Sequence, residues 1–120
     1  MDIFQHYSNG IVRITLIGQL WQKNELNALS EAVDSSNCQQ CKCIILDLQR
    51  VSFINSQGLG LLVRIYRDMV DAGGKLILLC NTSSVLEVIE ISGFKDFMLI
   101  AENEMELQQL LNNEEQKTVV

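Results

Sequence analysis

The stretch CIILDLQRVSFINSQGLGLLVRIYRDMVDAGGKLILLC (Cys43–Cys80) holds two apolar runs with an amphipathic segment between them. Cys43–Leu48 and Lys75–Cys80 are almost continuously apolar, which is typical of strands that are covered on both faces of a sheet. From Leu59 onward apolar residues recur at helical spacing, and Gly73-Gly74 stands where a left-handed residue would end a helix. The order strand, helix, strand predicts a parallel crossover unit of an α/β fold.

The segments on either side complete the same kind of fold. Ile3–Tyr7 and Ile11–Leu20 have strand patterns, and the Ser8-Asn9-Gly10 sequence between them predicts a hairpin turn. Further elements are predicted as helices over Lys23–Ser36, from a capping-box pattern at Ser84 to Gly93, and over Asn103–Leu111, with a last strand at Phe97–Ala101. The sequence therefore predicts one α/β domain over residues 1–111, with a mixed, mostly parallel sheet, an N-terminal β-hairpin and about four helices. Residues 112–120 are predicted to form a flexible acidic and polar tail.

Composition restricts the classes of partner. The chain has 120 residues, 48% of them hydrophobic, so it can bury the core of one domain. Its net charge of −6 argues against nucleic acid or an anionic membrane as a partner, because both require a basic surface. The N-terminal segment lacks the pattern of a signal peptide, and no apolar run approaches the ~20 residues that span a bilayer. We expect a soluble, cytoplasmic protein.

The cysteines Cys38, Cys41, Cys43 and Cys80 include a CxxC pattern that could bind a metal or act in redox chemistry. If the strands that begin at Cys43 and end at Cys80 run parallel, Cys80 lies at the far end of the sheet, about 15 Å or more away. The only histidine, His6, is distant in sequence. We therefore predict thiols, with no metal and no cofactor.

Two catalytic patterns are incomplete. Ser56 is not part of a GxSxG elbow, and a serine hydrolase would have to bring His6 to it. The Gly58-Leu59-Gly60 sequence lacks the third glycine of a dinucleotide fingerprint, and "QRVSFI" separates it from the predicted strand. No catalytic residue is predicted.

A polar group, Asn55-Ser56-Gln57-Gly58, lies where the strand passes into the helix. Ser56 falls at the predicted helix start, so its hydroxyl is predicted to cap N–H groups of the first turn. A phosphate on that hydroxyl would also be favoured, because helix N-termini attract anions. Cap and phosphorylation site both remain open. Trp21, at the end of a predicted strand, is expected either to cover the rim of the core or to act as an exposed interface anchor.

The order of elements and the sequence from Cys43 to Phe94 resemble the STAS domain, and in kind the stand-alone bacterial anti-sigma-factor antagonists. The resemblance covers roughly Ile11–Leu111. Its most specific parts are the Leu-Asp-Leu sequence at residues 46–48, the Asn-Ser-x-Gly-Leu-Gly sequence at residues 55–60, the Gly73-Gly74 stop and Gly93.

The resemblance implies a regulatory protein rather than an enzyme. It implies that the loop and the helix after it dock on an anti-sigma factor with serine-kinase activity, that phosphorylation of a loop serine ends binding, and that a PP2C-type phosphatase reverses it. Ser56 is the implied phosphorylation site. The residues predicted to contact the partner are Trp21, Asn55, Ser56, Gln57, Gly58, Leu59, Gly60, Arg64 and Arg67.

The loop departs from the sporulation-type pattern, Asp-Ser-Ser-Gly, in which the phosphoserine precedes the glycine. Asn55 stands for the aspartate, Gln57 for that serine, and Trp21 for an acid at the end of the second strand. Ser56 matches the modified position of stressosome-like and biofilm-regulating STAS proteins. The leading hypothesis is therefore a phosphorylation-switched regulator of transcription or of a biofilm-type output. One alternative is a constitutive interaction scaffold. Another, based on the weak GxG and on nucleotide or lipid contacts elsewhere in the family, is an enzyme or small-ligand binder. The sequence does not give the oligomeric state.

Overall fold

The computed structural model describes residues 2–20, 22–37 and 42–119, and the side chains of all of these except 36, 37 and 113–119. The elements are β1 (Asp2–Ser8), β2 (Ile11–Leu20), α1 (Lys23–Asn37), β3 (Cys43–Ile54), α2 (Ser56–Asp71), β4 (Lys75–Leu79), α3 (Ser83–Ile91), a 3₁₀ turn (Phe94–Asp96), β5 (Leu99–Ala101) and α4 (Glu104–Val119). Trp21, Cys38 and Cys41 lie outside the described residues.

The five strands form one sheet in the order β1-β2-β3-β4-β5. β1 and β2 are antiparallel, and each later pair is parallel. The turn between β1 and β2 consists of Asn9 and Gly10, whose φ angles of 53° and 81° are both in the left-handed region that a two-residue hairpin of this type requires. The predicted α/β fold with a mixed sheet, an N-terminal hairpin and four helices is confirmed.

The helices are divided unequally between the two faces of the sheet. α1, α2 and α3 pack on one face, which we call the first face, through residues such as Leu29, Leu62 and Val85. α4 packs on the opposite, second face through Leu107. The middle strands β3 and β4 contribute buried side chains to both clusters, which explains their continuous apolar sequence.

An ion cluster joins the start of α4 to the second face. The Arg13 guanidinium on β2 donates to the Asp47 carboxylate on β3 at 2.8 Å and also pairs with Glu104, the first residue of α4. Asp47 is the one buried charged residue among those described, and its other carboxylate oxygen accepts the Gln49 N–H at 3.1 Å. The hydrogen bonds to Glu104 and Asp47 raise the pKa of Arg13 further, so its charge is permanent.

Several predicted boundaries were wrong. β3 runs six residues beyond Leu48, because β2 continues to pair with it after β4 has ended. β5 begins at Leu99 rather than Phe97, and the helical backbone of α4 continues to Val119 rather than ending at Leu111. The predicted capping box at Ser84 does not form, because α3 starts at Ser83 and Thr82 holds the cap position. That residues 112–120 are flexible stays a prediction.

The two described cysteines are buried thiols at opposite ends of the sheet. Cys43 is level with Lys75 in the β3–β4 register, and Cys80 comes five residues later, about 16 Å along the strand. Among the described residues no group of three or more His, Cys, Asp or Glu side chains could hold a metal ion. Burial raises the pKa of the Cys80 thiol, so it is kept protonated.

Candidate functional site

The polar group of residues 55–58 lies at the end of a two-stranded projection, and we call residues 53–60 the tip. β4 ends at Leu79, opposite Asp47, whereas β2 and β3 remain paired as far as Leu20 and Ile54. α2 starts at the tip, immediately after β3. The start of α3 lies beside the projection, where the Ser84 hydroxyl donates to the backbone carbonyl of Ser52 at 2.9 Å. The turn from β3 into α2 is therefore held out at one edge of the domain.

Asn55, not Ser56, caps α2. Its backbone is extended (φ −104°, ψ −175°) and its Oδ1 accepts the Gly58 N–H at 2.9 Å. An N-cap residue needs this non-helical backbone so that its side chain can reach the third residue of the helix. Ser56 is already the first helical residue and is exposed, so the predicted cap role of Ser56 was wrong. Asn55, which stands where the sporulation-type loop has aspartate, therefore still caps the helix.

Gly58 allows the first turn of α2 to lie against the strand ends. A Cβ at Gly58 would lie 2.5 Å from the Leu20 carbonyl oxygen and 2.7 Å from a side-chain carbon of Ile54. These distances are shorter than real Cβ contacts, so only a glycine at position 58 lets the Leu20 backbone lie this close to α2. A Cβ at Gly60, two residues later, would meet nothing within 4 Å, so Gly60 leaves a flat, open patch on the helix surface.

The exposed face of α2 continues from the tip. Ser56, Gly60, Arg64 and Arg67 are exposed and follow one another at intervals of four, four and three residues, which places them in one line. We call this line the α2 stripe; Gln57 lies beside it and is also exposed. Arg64 is anchored, because its Nη2 donates to the Ser30 hydroxyl of α1 at 2.8 Å and its Nε lies 3.8 Å from the Asp68 carboxylate.

Not every predicted contact residue lies on this surface. The Leu59 side chain is 8% exposed and belongs to the core of the first face, and Gly58 is buried. Trp21 follows Leu20, but its placement is outside the described residues. Sequence reasoning missed Phe53, which is 43% exposed two residues before the cap. The available signal was its aromatic side chain close to the polar group of residues 55–58.

The described residues at this site complete neither of the two incomplete catalytic patterns of the sequence. His6 pairs with Arg13, seven residues along β2 from Leu20, so it lies about 20 Å from the tip. The glycines of the GxG lie inside α2, not in a loop before it, and β3 runs almost directly into this helix, so the separation inferred from "QRVSFI" was wrong. The tip, residues 53–60, carries no ionisable side chain.

The family model of the STAS domain matches residues 6–107. The chain belongs to the STAS domain family. This confirms the resemblance to the STAS domain, which was predicted over roughly Ile11–Leu111.

Relatives of this STAS protein include anti-sigma factor antagonists. It is 24% identical over 105 residues to an anti-sigma F factor antagonist of Paenibacillus polymyxa, covering 88% of this chain and 90% of the relative. The fold matches the unphosphorylated antagonist SpoIIAA with a TM-score of 0.76 at 24% identity, over 92% of this chain and 97% of that one. It matches the phosphorylated Bacillus SpoIIAA with a TM-score of 0.71 at 23% identity, over 91% and 99%.

Proposed function

We propose that this STAS protein is a regulatory protein that binds a serine kinase through its tip and α2 stripe, and that phosphorylation of Ser56 ends this binding. The proposal rests on the observation that the residue that caps α2 is not the residue that would be phosphorylated. Asn55 caps the helix, which leaves the Ser56 hydroxyl exposed and without a structural duty. A kinase can therefore modify Ser56 without breaking the cap.

The charge of the tip supports the same proposal. Residues 53–60 carry no ionisable side chain, so a partner can cover them without desolvating a charge. A phosphate would add about −1.5 to −2 charges at this surface. The backbone N–H groups at the start of α2 stabilise that charge within the free protein, whereas a partner fitted to the uncharged surface would have to desolvate it. Phosphorylation thus lowers affinity without unfolding the domain.

The contact surface keeps the predicted residues that solvent can reach and adds Phe53. It comprises the exposed Phe53, Ser56, Gln57, Gly60, Arg64 and Arg67 and the half-buried Asn55, and it excludes Gly58, which is buried. We leave out the Leu59 side chain because it lies in the core, and we retain Trp21 as a predicted contact. Gln57 occupies the place of the sporulation-type phosphoserine and offers an amide that a kinase can hydrogen-bond but not modify.

The relatives support the proposed class of binding partner. An anti-sigma F factor antagonist and SpoIIAA, which is known in an unphosphorylated and a phosphorylated form, are similar in sequence or fold. We propose an anti-sigma factor with serine-kinase activity as the binding partner and a PP2C-type phosphatase as the enzyme that restores binding. On this proposal the domain is cytoplasmic, is a substrate rather than an enzyme, and controls transcription or a biofilm-type output. No helix in the described part of the chain is long and apolar enough to cross a membrane.

The proposal is tested by affinity capture of the kinase from cells that express tagged variants. Ser56→Ala should capture at least as much kinase as the unmodified protein, and Ser56→Asp at least tenfold less. Ser83→Asp is the matched control, because Ser83 is likewise the exposed first residue of a helix. It should bind normally. Equal capture by all variants would exclude the switch.

A constitutive scaffold is the second candidate. It is favoured by Asn55 and Gln57, which differ from the sporulation-type loop. On this hypothesis the tip binds its partner without any phosphorylation. Intact-mass and peptide mass spectrometry of protein purified from its own cells distinguishes the two: phosphate on Ser56 contradicts the scaffold hypothesis, and its absence under conditions in which the kinase is active supports it.

A further inference from the structure

β1 is an edge strand of the sheet, and a single acidic residue, Asp2, is the only usual protection against pairing that its sequence carries. Its sequence, DIFQHYS, contains no Lys, Arg or Pro, and its ladder with β2 has no register shift. Protected edges usually carry such charges, prolines or bulges. Phe4 is 56% exposed and Tyr7 is 53% exposed. The edge is therefore long, regular and partly apolar, which suits the addition of another strand.

The hairpin determines which backbone groups of β1 are available. In a two-residue hairpin the residues that flank the turn, Ser8 and Ile11, exchange both backbone hydrogen bonds. Alternation then directs the backbone groups of Phe4 and His6 toward β2. Those of Ile3, Gln5 and Tyr7 are directed outward, to the open side of the strand.

We propose that this edge pairs with β1 of a second copy of the chain, antiparallel and with its twofold axis at Phe4. In this register Ile3 exchanges two backbone hydrogen bonds with the partner's Gln5, and Gln5 does the same with the partner's Ile3. Phe4 lies opposite the partner's Phe4 in a pair without hydrogen bonds, where side chains approach most closely. The two sheets become one ten-stranded sheet.

Charge complementarity selects this register. With Phe4 at the axis, Asp2 lies opposite the partner's His6, and His6 opposite the partner's Asp2. An imidazole N–H can donate to a carboxylate in either protonation state. An axis at Gln5 would instead place Asp2 opposite a serine and lose both pairs.

All members of the central contact share one face. Asp2, Phe4 and His6 pair directly with Ile17, Thr15 and Arg13, and directly paired residues point to the same side of a sheet. The first-face side contains Gln5, whose amide donates to the Ala32 carbonyl of α1 at 3.3 Å. The edge shares no residue with the tip or the α2 stripe, so the dimer does not depend on the proposed phosphorylation switch.

Sedimentation equilibrium of the purified full-length chain tests the dimer. We expect a monomer–dimer equilibrium that becomes visible at high micromolar concentration, since the contact is short. Phe4→Lys places two like charges at the axis and should weaken dimerisation at least tenfold. Ile91→Lys is the control, because Ile91 is 78% exposed at the end of α3. A monomer at every concentration up to 1 mM, about the practical limit, or a dimer insensitive to Phe4→Lys, overturns the proposal.

Two further experiments test the register. Asp2→Lys should weaken the dimer, and the double variant Asp2→Lys with His6→Glu should restore it by reversing both pairs. In a background with Cys38→Ser and Cys41→Ser, only the buried Cys43 and Cys80 remain as native thiols. Phe4→Cys should then form a disulfide-linked dimer on mild oxidation and Gln5→Cys should not. Crosslinking of Gln5→Cys alone, or no rescue by the double variant, overturns the register.

Discussion

The starts of α2 and α3 differ although both helices begin with an exposed serine at the end of a buried strand. At α2 the side chain of Asn55 caps the helix, and Gly58 lets its first turn lie against Leu20. At α3 the cap residue Thr82 makes no side-chain cap hydrogen bond, and Ser84 instead donates to the carbonyl of Ser52. An exposed serine at the start of a helix therefore does not by itself indicate a phosphorylation site.

This difference between the two helix starts bears on the proposed phosphorylation switch at the tip. At α2 the residues around the serine hold the helix in place, so the serine itself is available for chemistry. At α3 the Ser84 hydroxyl is used for contact with β3, and the first helical residue, Ser83, is exposed. The start of α4 resembles that of α2, since the Asn103 side chain accepts the Glu106 N–H at 2.8 Å, but it carries charged residues in place of a serine.

The largest expected change in stability is at Gly58, where the first turn of α2 lies against the ends of β2 and β3. Gly58→Ala should lower the free energy of unfolding by about 3 kcal/mol, because the new methyl group meets a backbone carbonyl that cannot move aside. Gly60→Ala is the matched control, with open space around it, and should raise stability by about 0.5–1 kcal/mol. Urea denaturation measures both values. Equal effects would show that the close packing at Gly58 is unimportant.

The next largest change in stability is expected at Asn55 and Thr82, the N-cap residues of α2 and α3. Asn55→Ala should cost about 1 kcal/mol of unfolding free energy because the Gly58 N–H loses its acceptor. Thr82→Ala should cost clearly less, since Thr82 makes no cap hydrogen bond. Asn55→Asp should keep the cap and stabilise the helix start through the dipole. A loss at Thr82→Ala as large as that at Asn55→Ala would contradict the difference between the two helix starts.

A smaller effect is expected on the pH dependence of stability. It involves Cys80, which lies between β4 and α3. Burial raises the pKa of Cys80 above 9.0, so the folded state binds a proton that the unfolded state releases as the pH rises. The stabilisation is complete below the unfolded pKa and is lost as the pH rises through the folded value. Thermal unfolding between pH 7 and 10, about the range in which thiols ionise, should show this alkaline loss, and Cys80→Ala should reduce it. An unchanged pH profile in Cys80→Ala would contradict it.

The smallest effect on stability is expected at the serines themselves. Ser56→Ala and Ser83→Ala should each change the unfolding free energy by no more than about 0.5 kcal/mol, because both side chains are exposed and neither caps a helix. Ser56→Ala should nevertheless alter the response of partner capture to kinase activity, whereas Ser83→Ala should not. A loss of more than about 1 kcal/mol in Ser56→Ala would restore the capping role that the structure gives to Asn55.

The parts of the fold that could be read from the sequence were those governed by local patterns. The continuous apolar runs of β3 and β4 reflect burial on both faces, and Asn9-Gly10 and Gly73 have the positive φ angles that their turns require. Ser56 and the α2 stripe followed from helical spacing and from the family's loop sequence. The length of β3 could not be read, because residues 49–54 alternate irregularly where the β2–β3 register shifts.

The sequence alone determined the order of elements, the family and the position of the loop serine, since these depend on residue type and on spacing along the chain. Only the tertiary structure decided that Asn55 rather than Ser56 caps α2, because a cap depends on backbone angles and on which N–H the side chain reaches. It also placed Leu59 in the core and β1 at an open edge. These properties depend on contacts between residues that are distant in sequence, and such contacts leave no periodic signal in the chain.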